Sequence, residues 1–148
     1  MISKFQTLIC IVALLIAGCS PRAIKDPREV AGEYIFKYRT GEMEVLLLRE
    51  DLSYQQELYS DIDNYRSHAT PSFTNSGTWS YGGIGLTMNK FFNFCDFPNP
   101  EKRLDPPVRS QSTPAFWQRP SSKWNAFIVF SEDSGYALLR VKNRADVK

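Results

Sequence analysis

The chain is poor in the residues that most often carry chemistry. It has one histidine, His68, and three cysteines, Cys10, Cys19 and Cys95, in 148 residues. A structural zinc site takes about four Cys or His ligands, so no metal site is predicted. Asp61-Ile62-Asp63-Asn64 begins like a calcium loop. Arg66 and Ser72 stand where that loop needs its sixth-position glycine and twelfth-position glutamate, so an acidic surface loop is expected instead. No Gly-x-Ser-x-Gly elbow is present, and no glycine-rich loop opens a helix. The pairs Glu42/Glu44, Glu50/Asp51 and Glu132/Asp133 flank or occupy turns, where acids are expected for solvation. Nothing in the sequence joins Cys95 and His68 into a dyad. No catalytic residue is predicted, and a non-enzymatic protein is expected.

Charge of one sign is also missing. Eighteen basic and 16 acidic residues leave a formal charge of +2, and they are dispersed. That is too even for an electrostatic footprint on a phosphate backbone, so no nucleic-acid partner is expected. No internal repeat or low-complexity tract is visible.

What is present starts at the N-terminus. Lys4 precedes an uncharged apolar run from Leu8 to Ala17, which closes as Leu15-Ile16-Ala17-Gly18-Cys19. A basic start, a short apolar stretch and small residues before a cut site read as an export signal. The run is about half of the roughly 20 residues a membrane-spanning helix needs. Leu15-Ile16-Ala17-Gly18-Cys19 resembles the lipobox of bacterial lipoproteins. That resemblance implies a signal peptide over residues 1–18, removed at Cys19, and a covalent diacylglyceryl and acyl lipid on the Cys19 sulfur and amine. No other cofactor is expected. Two acyl chains on one residue satisfy the usual need for two membrane signals, so the membrane is a partner through the anchor. Ser20 after the cysteine, rather than aspartate, implies sorting to the outer membrane of a two-membrane cell, facing the periplasm.

Loss of residues 1–18 leaves 130 of the 148 residues, one domain by size. Cys10 departs with the signal and Cys19 takes the lipid, so Cys95 stands alone and a disulfide framework within the chain is excluded. Burial among Phe91, Phe92, Phe94 and Phe97 is the expected use of its thiol. Aromatic residues make up 14% of the chain, enough apolar surface to build a core.

Residues 19–30 read as a polar tether, in which Asp26 and Pro27 can cap and start one helical turn. The β domain is expected over 31–142. Tyr34, Phe36 and Tyr38 alternate with Glu33, Ile35, Lys37 and Arg39, as in a half-buried strand. Met43 to Glu50 contains four contiguous apolar residues and predicts a strand covered on both faces. Tyr54 to Tyr59, Gly77 to Tyr81 and Ile84 to Phe92 continue the series, with Gly82-Gly83 as a hairpin turn. Residues 93–122 carry six prolines, which disfavour central strands, so a long loop is expected there. A final hairpin places Trp124, Ala126, Ile128 and Phe130 on one face of one strand, and Ala137, Leu139 and Val141 on one face of the next. Residues 143–148 read as a tail.

Seven strands joined mostly by short turns predict an all-β, antiparallel meander, closed or half-open as a barrel, with a β-sandwich as the alternative. Gly32-Glu33-Tyr34 and Gly77-Thr78-Trp79 resemble the opening and mid-chain strands of small lipocalin-like lipoproteins. The resemblance implies a barrel that either fills its interior or holds one small apolar or amphipathic ligand. Tyr34, Phe36, Tyr38, Trp79, Met88, Trp124 and Phe130 are the candidate lining residues. The alternative is a cell-envelope interaction protein that docks a partner through Phe94, Phe97, Arg109, Phe116 and Trp117, since aromatics and arginine are enriched at interfaces.

Overall fold

The computed structural model describes residues 22–96, 99–119, 126–131 and 136–147. Eight strands close into an antiparallel barrel: β1 (Gly32–Lys37), β2 (Met43–Leu48), β3 (Ser53–Tyr59), β4 (Phe73–Gly82), β5 (Gly85–Asn89), β8 (Ser112–Gln118), β9 (Phe127–Ser131) and β10 (Tyr136–Val141). Each pairs with the next in that order, and β10 returns to β1 through Glu33–Val141, Tyr34–Arg140 and Ile35–Leu139. Two further strands, β6 (Phe92–Asp96) and β7 (Asn99–Arg109), pair only with each other. The expected all-β, lipocalin-like architecture is therefore a closed barrel rather than a half-open one or a sandwich.

The expected strand count of seven and the loop over 93–122 are corrected, because that proline-rich segment supplies β7, β8 and most of β6. Register explains how prolines fit. The Trp117 amide donates to Ile84 O at 3.0 Å, so by alternation Thr113 and Ala115 also turn their N–H groups toward β5, while Pro114 turns its nitrogen toward β9. The β8–β9 pairing covers only Phe116 to Gln118. Pro114 thus lacks an N–H where, among the described residues, no neighbour is paired. Pro106 and Pro107 sit where the β6–β7 register shifts between Asn93 and Cys95. There a strand tolerates missing donors.

Strand direction divides the barrel into two ends. At one end, the segment before β1 forms a plug. Asp26 caps a helical turn, α1 (Pro27–Val30), accepting from the Arg28 amide, with Pro27 opening the turn as the sequence predicts. The Arg28 side chain and amide hold the Asp26 carboxyl down at about 2. Ile24 and Val30, expected within a polar tether, are buried against the core, and Ile24 N donates to Gly83 O at 2.7 Å. Arg140 reaches back from β10, donating to Glu29 O at 2.8 Å and to Ala31 O, with its guanidinium 5.6 Å from the Tyr34 ring centre. Tyr34 OH donates to Val30 O at 2.6 Å.

The β2 strand is covered on both faces, as expected. Leu46 and Leu48 face the interior. Met43 and Val45 face outward beneath a short helix, α2 (Ile62–Arg66), and the C-terminal segment, where Tyr59, Tyr65 and Val147 pack on them. Arg144 ties this layer down through Glu33 at 2.8 Å. In β10 the inward residues are Tyr136, Leu138 and Arg140. Leu139, expected on a shared face with Ala137 and Val141, points outward.

Gly77 stands directly opposite Tyr54 across β3 and β4. A Cβ there would lie 2.7 Å from the Tyr54 ring and against the backbone oxygen of Asn89, which accepts from Tyr54 OH at 2.9 Å. Gly77→Ala is therefore expected to destabilise the fold by about 1–3 kcal/mol, the usual cost of overpacking. Its urea midpoint would fall with an unchanged slope.

Candidate functional site

At the second end of the barrel the interior becomes polar. Glu44, on β2, is fully buried. One carboxyl oxygen accepts from Tyr38 OH and Tyr136 OH, both at 2.6 Å, and the other accepts from Gln56 Nε2 at 2.8 Å. No ion pair reaches it among the described residues. Burial pushes the Glu44 carboxyl pKa up, and the three donors recover only part of that cost. Burial and the neighbouring carboxyl also raise Tyr38 and Tyr136, so both phenols stay protonated.

Gln56 connects this cluster to the β6–β7 hairpin. Its Nε2 also donates to Phe92 O at 2.7 Å, and its Oε1 accepts from the Phe92 amide at 3.2 Å. The side chain thus imitates a neighbouring strand. Asn75 adds a donor to Lys90 O at 3.0 Å. Beneath this cover Phe91, Phe94 and Cys95 are buried. The expected burial of Cys95 is met, against the barrel end, while His68 lies exposed after α2.

Outside the cover lies a cleft of about 700 Å³ between the hairpin and the barrel rim. Leu58, Phe73 and Pro107, over the buried Phe94, supply its apolar lining, and Thr40, Ser60 and Ser72 its hydroxyls. Phe73 meets Phe92 and Phe94 edge to face, with centres 5.1 and 5.0 Å apart. Arg103 on β7 crosses to the β1–β2 turn, with Nε 2.8 Å from a Glu42 oxygen. A second cavity, about 450 Å³, lies on the outer wall by Ile35, Leu139 and Val147.

The candidate lining residues are distributed as follows. Tyr34, Trp79 and Met88 are buried in the core, with Trp79 Nε1 donating to Arg49 O at 3.1 Å. Phe36 and Phe130 pack on Tyr136, at 5.1 Å each. Tyr38 belongs to the Glu44 cluster. Trp124, like Cys19 and Phe97, lies outside the described residues. Side chains fill the barrel interior at the described positions, and the cleft is at the rim.

The candidate docking residues do not share a face. Phe116 is 46% exposed on the outer wall while Trp117, its neighbour in β8, is buried inside. Phe94 is buried under the hairpin, and Arg109 stacks over Phe92 at 5.7 Å.

Sequence reasoning missed Glu44 and Gln56. Glu44 was expected to be solvated beside a turn, and that is corrected. It shares its strand parity with Leu46 and Leu48, and Gln56 shares that of Tyr54 and Leu58, so alternation carried the signal. Asp61, the first residue of the calcium-like stretch, is the N-cap of α2 and accepts from the Asn64 amide at 2.8 Å.

An acid whose folded pKa is raised holds its proton more tightly when folded. The stability it confers is complete below the ordinary glutamate pKa and is lost as pH rises through the folded value. The loss is roughly 1.4 kcal/mol per pH unit within that window. Urea titrations across pH are expected to show this decline, and Glu44→Gln to flatten it. Comparison with known proteins finds no family model, no curated protein and no solved structure that matches the chain.

Proposed function

We propose that the protein is a lipid-anchored binding module of a bacterial cell envelope that captures a small amphipathic molecule in the rim cleft. The observation that carries this reading is the cleft itself. Its volume of about 700 Å³ falls within the range typical of small-molecule sites, and its lining combines apolar and aromatic side chains with hydroxyls. Apolar surface holds the body of an amphiphile, and convergent polar groups orient its head. The barrel core, filled by side chains, serves as the scaffold. This moves the expected site from the interior to the rim, using Phe94 from the candidate docking set as wall.

The lipobox resemblance supplies the address. Residues 22–31 enter the barrel end opposite the cleft, so a lipid on Cys19 would leave the cleft facing away from the membrane.

Two experiments test these halves. Calorimetric titration of 3-phenylpropan-1-ol into the protein in lipid nanodiscs, with empty nanodiscs as reference, is expected to give a saturable single-site isotherm. Ser60→Trp, which places a bulky ring at the exposed cleft edge, should weaken it at least tenfold. Non-saturable heats, or a variant that binds as well, would contradict the reading. Separately, an alkyne-tagged fatty acid fed to expressing cells should label the chain, and Cys19→Ala should abolish the label. Persistent labelling, or none in the parent chain, would remove the anchor.

A further inference from the structure

We propose that the rim cleft selects amphiphiles with a cationic head, a primary amine or quaternary ammonium on a short apolar body. This rests on the cleft being the binding site and adds the charge of what it takes.

The ionisable residues that line the cleft are Glu42, Arg103 and Asp105. Each guanidinium nitrogen of Arg103 already has a partner, three of its five N–H groups being engaged. Its Nε lies 2.8 Å from Glu42, its Nη2 3.4 Å from Asp105, and its Nη1 donates to Leu104 O at 3.3 Å. One guanidinium therefore faces two carboxylates, and among the described residues the lining carries a net negative charge. The Asp105 side chain is 77% exposed, so its carboxylate keeps most of its accepting capacity.

The two signs of ligand head meet different costs. An anion that reached Arg103 would sit beside the Glu42 and Asp105 carboxylates and would compete with them for one guanidinium. A cation can approach Asp105 and the outer edge of the Glu42–Arg103 pair with every existing bond intact. The low-dielectric walls focus that preference.

The aromatic wall acts in the same direction. Ring faces attract cations, most strongly where water is excluded. Phe73, Phe92 and Phe94 form one edge-to-face group, and Phe92 already holds the Arg109 guanidinium 5.7 Å from its centre. Phe73 lines the cleft half-buried, over the buried Phe94, and a ligand ammonium can use the same contact there.

Three probes of near-equal size test this: phenethyltrimethylammonium, 3-phenylpropanoate and 3-phenylpropan-1-ol, titrated by calorimetry into the intact protein in zwitterionic lipid nanodiscs. The ammonium is expected to bind at least tenfold more tightly than the carboxylate and more tightly than the alcohol. Asp105→Asn should cut the ammonium affinity at least threefold and narrow its margin over the carboxylate, and added salt should narrow it further. If the alcohol or the carboxylate binds as tightly as the ammonium, the charge selection is wrong while the cleft stands as a site. If none of the three binds saturably, the cleft reading fails and this inference with it.

Discussion

The structure turns on one buried carboxyl. Glu44 gathers hydroxyls from the end of β1 and the start of β10 and an amide from β3, and so joins the strands on both sides of the barrel closure. A buried polar group without partners costs a few kcal/mol; here each carboxyl oxygen is met. The same Gln56 amide continues to the backbone of Phe92. The position of the β6–β7 hairpin, and hence of the cleft it walls, follows from how this group is satisfied. Networks of this kind select one arrangement strongly, because any shift of register leaves several buried groups unpaired at once.

The opposite end is closed by different means. There the plug inserts Ile24 and Val30 into the core, and Arg140 supplies donors to carbonyls that α1 leaves open. The molecule thus has a sealed end where the chain enters and a polar, aromatic end where a long insertion between β5 and β8 arches over the rim. The asymmetry gives a single-barrel protein a direction, and the proposed function assigns attachment to one end and recognition to the other.

Local features were legible in the sequence. Tyr34, Phe36 and Tyr38 alternate because a half-buried strand alternates, and Asp26-Pro27 caps a turn through contacts two residues apart. The two glycine motifs fall where close approach demands them, with Gly77 under the Tyr54 ring and Gly32 against the Arg140 guanidinium. Non-local features were not legible. Proline is excluded from a strand only when its nitrogen faces a paired neighbour, and the sequence does not display that direction for Pro114. Glu44 beside Thr40-Gly41 resembles any solvated acid, and its burial depends on Tyr136, 92 residues away. The cleft belongs to the same class. Arg103 and Glu42 meet only because the insertion folds back over the first turn.

The most direct test of this account is native-state amide hydrogen exchange at Phe92. Its N–H is bonded to a side chain, Gln56 Oε1, and to no strand of the barrel. If the Glu44–Gln56 connection fixes the hairpin on the barrel, that amide will exchange only through the same opening that exposes β2 and β3, with matching protection. Exchange at the rate of an exposed turn, while β2 and β3 stay protected, would mean that the hairpin moves independently and that the buried carboxyl does not govern it.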